Sequence, residues 1–381
     1  MTITTEAERP TDLDPDLKTA ATATATATTT GRHAPTTEES DLQAESEGDF
    51  PDDDSALGDD AASSTASINS SIMAYRTENG RTYHAFRESI NYVLPNDSSE
   101  QERLDLQHHL FTLTLGGKLY LSPLQRDDKP LGRVLDAGTG TGVWAIDFAD
   151  AHPETQVLGI DLSPIQPNFL PTNLEFQVDD LEDEWTYNYK FDFVFGRMLT
   201  GSIGDWPKFF QQSFDSLNPG GWIECQDITF PGESDDGTLL KGSPIDQWCE
   251  LMTEAANNFG RSAVSAKLYK QQMIDAGFIN VTEVIYKWPS NRWPADPYYK
   301  ELGMILWKIL MIGMLIVLGF WCNHNIAGEL SGLSMALFTK GLGWSFEEVE
   351  VFLAKVRTDM RDRRIHAWWP IHVVYGQKPD Y

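Results

Sequence analysis

Residues 134–142 read V-L-D-A-G-T-G-T-G, an apolar strand that breaks into a glycine-rich turn. The next residues, Val143-Trp144-Ala145-Ile146, fit the start of a helix. Glycine lets the backbone approach a ligand closely, and such a turn points N–H groups and a helix N-terminus at an anionic group. The segment therefore predicts a strand, a ligand-binding turn and a helix in succession, as in a βαβ unit.

The spacing of the glycines separates two kinds of nucleotide-binding turn. A dinucleotide fingerprint reads G-x-G-x-x-G, but the sixth place counted from Gly138 is Val143, and Gly142 completes G-x-G-x-G instead. This spacing disfavours a nicotinamide oxidoreductase. The candidate binding residues of the turn are Asp136, Gly138, Gly140 and Gly142.

Short apolar runs separated by helical stretches continue along the chain. They predict an α/β fold with a Rossmann-like, mostly parallel sheet of seven strands. The candidate strands are Arg133–Asp136, Gln156–Ile160, Leu174–Val178, Phe191–Gly196, Gly221–Gln226, Val281–Tyr286 and His372–Gln377. Near the end, Ser345 and Glu348 form an S-x-x-E capping box, and the helix that follows is expected to pack on the sheet.

Carboxylates follow the second and third candidate strands. Asp161 ends V-L-G-I-D, about twenty residues beyond the glycines, where it can accept hydrogen bonds from both hydroxyls of a ribose; the alternative is a helix cap. Asp179 and Asp180 follow the third strand, where a carboxylate can accept from the exocyclic amine of adenine. Asp180 is the preferred residue, and the alternative is a solvated loop, because acidic residues continue through Glu184.

The N-terminal part of the chain differs in composition from the rest. Residues 1–62 carry sixteen acidic residues against Arg9, Lys18 and Arg32, so they supply 13 of the 28 net negative charges. Because few of these residues can contribute to a core, we predict a disordered acidic tail over 1–70, a helical cap over 71–130 and the main domain over 131–381. An acidic chain is also a poor binder of nucleic acid, which needs clustered Lys and Arg.

The sequence lacks the patterns typical of zinc sites, disulfide frameworks and secretory signals. The three cysteines form no Cys-x-x-Cys pair, so neither a disulfide framework nor a zinc site is suggested, and we expect no metal and a reducing intracellular compartment. The N-terminus has neither a basic n-region nor an apolar h-region, which argues against a secretory signal.

The stretch Leu302 to Cys322 is apolar over 21 residues and is interrupted only by Lys308, so it is long enough to span a bilayer. A spanning helix here would put the last two candidate strands on opposite membrane faces. No other stretch offers the second crossing that would let them pair. We therefore interpret residues 305–320 as an exposed apolar insertion, and a membrane anchor over 302–322 is the less favoured alternative.

The motifs V-L-D-A-G-T-G-T-G, G-I-D, D-D-L, F-D-F-V-F and L-N-P-G-G-W-I-E together resemble those of class I S-adenosylmethionine-dependent methyltransferases. Asp136, two residues before the first glycine, also fits that class. More narrowly the chain is similar to the fungal LaeA-like methyltransferases, which are tied to control of secondary metabolism. This likeness rests on Y-R-T-E-N-G-R-T-Y-H-A-F, L-P-N-D, R-L-D-L-Q-H-H-L-F, G-L-S-M-A-L-F-T-K-G-L-G-W and R-R-I-H-A-W-W-P-I-H-V-V-Y-G-Q-K-P.

The resemblance implies S-adenosyl-L-methionine as cofactor, with the turn at its methionyl end, Asp161 at the ribose and Asp180 with its neighbours at adenine. It also implies Arg197 near the reacting face. Candidates for removing a proton are His84, beside Tyr83, and His366 or His372, whereas His108 and His109 look like a surface or packing pair.

The resemblance also implies the partners and the cellular location of the protein. It implies regulatory protein partners and a nuclear or cytoplasmic location, but it does not name the methyl acceptor, which could be a protein or a small molecule. Removing residues 305–320 would join K-E-L-G-M to W-C-N-H-N, which looks like continuous LaeA-like sequence; a translated intron or a lineage insertion would explain it.

Overall fold

A twisted sheet of eight strands forms the centre of the computed structural model, which describes residues 5–6, 74–86, 93–124, 130–311 and 329–381. A separate two-stranded hairpin, β2 with β3, precedes it. The strands are β1 (Thr5–Glu6), β2 (Arg76–Glu78), β3 (Arg81–Tyr83), β4 (Arg133–Ala137), β5 (Gln156–Asp161), β6 (Leu174–Val178), β7 (Phe191–Arg197), β8 (Leu217–Ile228), β9 (Ile279–Pro289) and β10 (Trp368–Gln377).

The order of strands across the sheet is β1-β9-β10-β8-β7-β4-β5-β6. Strands β4 to β8 run parallel to one another, and β10 is antiparallel to both β8 and β9. All seven predicted strands are present, so the predicted α/β, mostly parallel sheet is confirmed. The chain leaves β4 in one direction through β5 and β6 and then returns to its other side with β7, and such a switch point is where α/β sheets bind ligands.

Helices cover both faces of the sheet and form a further layer beside it. They are α1 (Ser98–Thr114), α2 (Val143–Ala151), α3 (Trp206–Ser216), α4 (Pro244–Asn258), α5 (Tyr269–Asp275), α6 (Pro297–Met311), α7 (Glu329–Ala336) and α8 (Phe346–Arg361). On one face Trp144 and Phe148 of α2 pack with Phe193 and Phe195 of β7. On the other face the aromatic side chains of α3 and α5 fill the core.

The capping box of α8 is present, because Ser345 Oγ accepts from the Glu348 N–H while the Glu348 carboxylate accepts from the Ser345 N–H. The expected packing of this helix on the sheet is wrong. Its buried face, which includes Val349, Val356 and Met360, lies mainly against α4 and α7. The capping motif fixes where a helix begins but carries no information about which partner buries its apolar face.

The first part of the apolar segment lies in α6, which packs against α1 and β9. Ile305, Leu306, Ile309 and Leu310 are all buried in the core. The expectation of an exposed protrusion is therefore wrong for these residues. Positions 312–328 lie outside the described residues, and the insertion itself stays a prediction. In the part of the chain that the structure describes, no helix is both long and apolar enough to cross a membrane.

The N-terminal tail contributes one described feature, the pairing of β1 with the edge strand β9. Thr5 and Glu6 lie in parallel register with Val284 and Ile285, a contact that the sequence did not predict. The remainder of the predicted disordered tail up to residue 70 lies outside the described residues.

Deleting residues 1–62 is expected to leave the domain folded, because among the described residues of this stretch Thr5 and Glu6 alone pair with the sheet, and they pair at its edge. The expected change in melting temperature is at most about 2–4 °C, the shift that roughly 1 kcal/mol produces in a domain of this size. Calorimetry of the full and shortened chains measures it, with Glu6→Pro as the control that blocks pairing but keeps the tail. A drop much beyond this range would mean that the tail is part of the folded unit.

Candidate functional site

A cavity of about 250 Å³ opens at the carboxyl ends of β4, β5, β6 and β7. All seven residues assigned to the cofactor from the sequence lie at this edge, and six of them line the cavity: Asp136, Gly138, Gly140, Asp161, Asp179 and Asp180. The seventh, Gly142, is the residue before the first turn of α2. Parallel strands bring their carboxyl ends to one edge, which is why residues far apart in the sequence meet here.

The glycine turn needs glycine at all three positions. Gly138, Gly140 and Gly142 have φ of 74°, 57° and 80°, a left-handed conformation that other residues adopt only at a cost. The N–H groups of Gly138 and Thr139 both donate to the carbonyl of Ile160, at 2.9 and 2.8 Å, and so fasten the turn to β5. A side chain at Gly138 would lie 2.5 Å from Leu199, so the turn packs directly on the loop after β7.

Two acidic side chains meet at the turn. Asp136 is buried, and burial raises the pKa of its carboxyl to about 6, while the Thr139 hydroxyl donates to it at 2.6 Å. Burial also raises the pKa of Asp161, whose two oxygens accept from the N–H groups of Gly140 (2.8 Å) and Ser163 (3.0 Å). Each carboxylate oxygen has two lone pairs, so Asp161 can hold the turn and still accept hydrogen bonds from a ligand.

Asp179 and Asp180 differ in what their carboxylates already bind. Asp179 accepts from the N–H of Asp180 at 2.8 Å, and Asp180 accepts from the N–H of Glu182 at 2.9 Å through Oδ1. Asp179 is exposed, whereas Asp180 is partly buried at the cavity wall. This favours Asp180 as the residue that faces a ligand.

Arg197 ends β7 and also lines the cavity. Its guanidinium donates to Nδ1 of His108 at 3.0 Å and lies 5.1 Å from the centre of the Phe111 ring. His108 must then carry its proton on Nε2, which lies 2.9 Å from a carboxylate oxygen of Asp147. Burial, followed by the nearby charge of Arg197, lowers the pKa of His108 to about 4, so the imidazole is neutral at pH 7.

The sequence analysis missed His108, which was interpreted as part of a surface or packing pair. It is 7% exposed and joins α1 to Arg197 across 89 residues of sequence. A histidine on a helix carries no local signal of a partner that distant. The one available signal was the helical periodicity of α1, which could have placed His108 on the buried face of the helix.

The other candidate catalytic residues are not cavity-lining residues. Tyr83 and His84 are buried, and the charge of Asp180 reaches His84, whose pKa is lowered mainly by burial. His366 stacks on Trp293 and has Nδ1 2.5 Å from a carboxylate oxygen of Asp236. His372 pairs with Glu283 across β9 and β10 at 2.8 Å. The geometry brings Arg197, but none of these three histidines, to the cavity.

Sequence comparison with known proteins identifies relatives that are methyltransferases. The chain is 37% identical over 322 residues to methyltransferase pytC of Aspergillus terreus, an alignment that covers 84% of this chain and 93% of the relative. The chain belongs to the S-adenosylmethionine-dependent methyltransferases. The sequence profile of the methyltransferase domain family matches residues 106–283, which contain all the candidate cofactor residues.

Within the methyltransferases the chain also resembles regulators of secondary metabolism. It is 34% identical to secondary metabolism regulator LAE1 of Cochliobolus heterostrophus, over 79% of this chain and 94% of that protein. It is 32% identical to protein-methionine methyltransferase laeA of Emericella nidulans, over 84% of this chain and 81% of that protein. The LaeA-like resemblance inferred from the motifs is confirmed.

The cofactor of the methyltransferases is S-adenosylmethionine, and the described residues fit it. Its sulfonium and amino groups are cationic, and the turn offers the carboxylates of Asp136, which is buried, and Asp161, which is partly buried. Two of the three arginines that line the cavity are paired with glutamates, Arg261 with Glu182 at 2.7 Å and Arg103 with Glu100 at 2.9 Å, and the third, Arg197, donates to neutral His108. A cationic ligand at the turn therefore meets carboxylates rather than a surplus of positive charge.

Proposed function

We propose that the cavity holds S-adenosylmethionine along the edge of the sheet, with its methionyl end at Asp136, Gly138, Gly140 and Gly142, its ribose at Asp161 and its adenine near Asp179 and Asp180. The observation that carries this assignment is the convergence of six of these seven residues, from three successive strands, on one wall of one cavity. Their order along the wall follows the order of the groups in the cofactor.

When bound, the cofactor supplies a methyl group on a positively charged sulfur, so the chain needs mainly to orient an acceptor in a dry site. Arg197 stands on the same wall at the end of β7, next to the strand that bears Asp136. Its hydrogen bond to His108, and that of His108 to Asp147, hold the guanidinium in one place. We assign Arg197 the role of orienting the acceptor at the reacting face, with His108 as its positioning residue.

The direct test is release of S-adenosylhomocysteine by the purified full chain, with and without candidate acceptors, together with calorimetric titration of the cofactor. We expect saturable binding of S-adenosylmethionine at one site. Product release should increase when the correct acceptor is added. Absence of cofactor binding to the folded chain would contradict the proposal.

A second function is favoured by the relatives named as regulators of secondary metabolism. In it the cofactor-bound protein acts chiefly through regulatory protein partners in the nucleus or cytoplasm. A variant that binds cofactor but transfers no methyl group distinguishes the catalytic from the regulatory function. If Arg197→Met abolishes product release and leaves metabolite production in the cell unchanged, the regulatory function does not depend on catalysis.

Cofactor affinity is expected to fall as the pH drops below about 6. Because burial raises the pKa of Asp136 to about 6, its carboxylate becomes neutral below that pH and loses its attraction for the cationic methionyl end. At one pH unit below the pKa about nine-tenths of the carboxyl is protonated, so the apparent Kd should rise roughly tenfold between pH 7.5 and 5.0. Titration calorimetry at several pH values measures the slope.

Asp136→Asn is the matched variant for this pH dependence, since it removes the titrating group and keeps the shape. It should bind more weakly at pH 7.5 and with a much flatter pH profile. Asp161→Asn should retain the slope. An unaltered profile in Asp136→Asn would show that another group sets the pH dependence.

A further inference from the structure

The cavity continues beyond Arg197 into a chamber with apolar walls. We call it the apolar chamber and define it by Trp248, Met252 and Ala256 of α4, Leu333 of α7, Trp288 of β9 and Trp369 of β10. All except Leu333 are less than a tenth exposed. The chamber therefore lies inside the protein, between the sheet and the layer formed by α4 and α7.

The polar atoms of two chamber walls are already satisfied within the protein. The indole N–H of Trp248 donates to Ser334 Oγ at 2.9 Å, and that of Trp288 donates to Thr114 Oγ1 at 2.8 Å. These rings therefore offer flat apolar faces rather than hydrogen-bond donors. Three indoles around one space suit a ligand that also has flat rings, because aromatic groups stack or meet edge to face.

Charged side chains are confined to the other half of the cavity. The carboxylates of the cofactor turn and its neighbouring strands lie there, Arg103 and Arg261 are each paired with a glutamate, and the third arginine, Arg197, stands where the apolar chamber begins. None of the residues that define the apolar chamber is ionisable. A charged group that entered it would lose its water and find no opposite charge.

We propose that the apolar chamber holds the methyl acceptor and that this acceptor is an uncharged small molecule with a ring-bearing apolar body. The inference rests on the proposed function, because it takes the cofactor to lie along the glycine turn. An extended peptide fits the chamber poorly, since its backbone N–H and carbonyl groups would be buried without partners. Acceptors that would place a phosphate or another anionic group inside the apolar chamber are disfavoured by the same lack of charge among its walls.

The probe for this chamber is N-phenyl-1-naphthylamine, a neutral compound with a naphthyl and a phenyl group whose fluorescence rises when it leaves water. We expect it to bind the full chain saturably at one site in the presence of S-adenosylhomocysteine. Ala256→Phe adds a ring inside the chamber and should weaken binding roughly tenfold or more, because a close-packed site cannot absorb that volume. Asn257→Phe adds the same ring at an exposed position of α4 and should leave binding unchanged.

The affinity of the same variants for S-adenosylhomocysteine, measured by calorimetry, shows without the probe whether each variant is folded and whether its cofactor half is intact. Leu333→Phe fills the chamber from the opposite wall and serves if Ala256→Phe does not fold. Failure of the cofactor to bind the unmodified chain would refute the proposed function. Retained cofactor binding without saturable probe binding, or equal probe affinity in the chamber variants and in Asn257→Phe, would overturn the present inference alone.

A methionine-containing pentapeptide is the competing ligand, chosen because one relative is named a protein-methionine methyltransferase. We expect it not to displace the probe. Displacement by the peptide at concentrations where neutral two-ring alcohols fail would assign the chamber to a protein side chain and overturn the proposal.

Discussion

Asp161→Ala is expected to weaken S-adenosylmethionine binding by a factor of about 10² to 10⁴. Two hydrogen bonds from ribose hydroxyls to a charged acceptor contribute roughly 1.5–3 kcal/mol each, and both would be lost. The carboxylate also accepts from the Gly140 N–H at 2.8 Å, so the substitution loosens the turn that faces the methionyl group. Titration calorimetry of S-adenosylmethionine and S-adenosylhomocysteine should give losses of the same size.

Asp192→Ala is the matched control for this substitution. Asp192 also accepts from backbone N–H groups, those of Gly132 (2.6 Å) and Arg133 (3.1 Å), but it does so near the opposite ends of β4 and β7. It should lower stability by an amount comparable to Asp161→Ala and leave cofactor affinity nearly unchanged. Equal affinities in the two folded variants would remove Asp161 from the ribose site.

The cofactor half of the site could be predicted because its determinants are local in sequence. Each carboxylate follows an apolar run that is recognisable as a strand, and parallel strands must bring such positions to one edge. The left-handed turn is likewise predicted by three glycines in five residues. Residues 136–180 therefore contain the strands and the turn that bring the proposed cofactor residues to one edge of the sheet.

Contacts between distant segments could not be predicted in this way. The hydrogen bond between Arg197 and His108 joins β7 to a helix that precedes β4 in the chain, and nothing in the helical pattern of α1 marks its partner. The apolar chamber is a similar case, because Trp248, Trp288 and Trp369 lie on three elements. Each tryptophan by itself predicts only burial.

Strand lengths were underestimated where pairing is antiparallel. Strand β10 begins at Trp368 rather than His372, since Trp368 and Trp369 pair with Pro289 and Trp288 of β9. The run before His372, W-W-P-I, contains a proline, which usually argues against a strand interior. Packing against the neighbouring strand decides where such a strand begins, and the sequence of one strand alone does not reveal that packing.

Gly140→Val and Gly138→Val are expected to separate cofactor binding from folding. A Cβ at Gly140 would have its nearest heavy atom, a Leu104 methyl, 3.4 Å away, so the fold can accept it at the cost of an unfavourable φ of 57°. The branched side chain would nevertheless occupy the space along the turn that the methionyl group needs, so S-adenosylmethionine binding should be lost. At Gly138 a Cβ would lie 2.5 Å from Leu199, and we expect loss of both binding and stability.

Gly237→Val is the control for backbone strain, because Gly237 has a φ of 73°, has no atom within 4 Å of an added Cβ and is not a cavity-lining residue. Its melting temperature should fall about as much as that of Gly140→Val, with cofactor affinity retained. Thermal unfolding and ultraviolet crosslinking of labelled cofactor, applied to all three variants, measure the two effects separately. Crosslinking of Gly140→Val at the level of the unmodified chain would mean that the methionyl group does not lie along the turn, and the orientation of the cofactor along the sheet edge would have to be reversed.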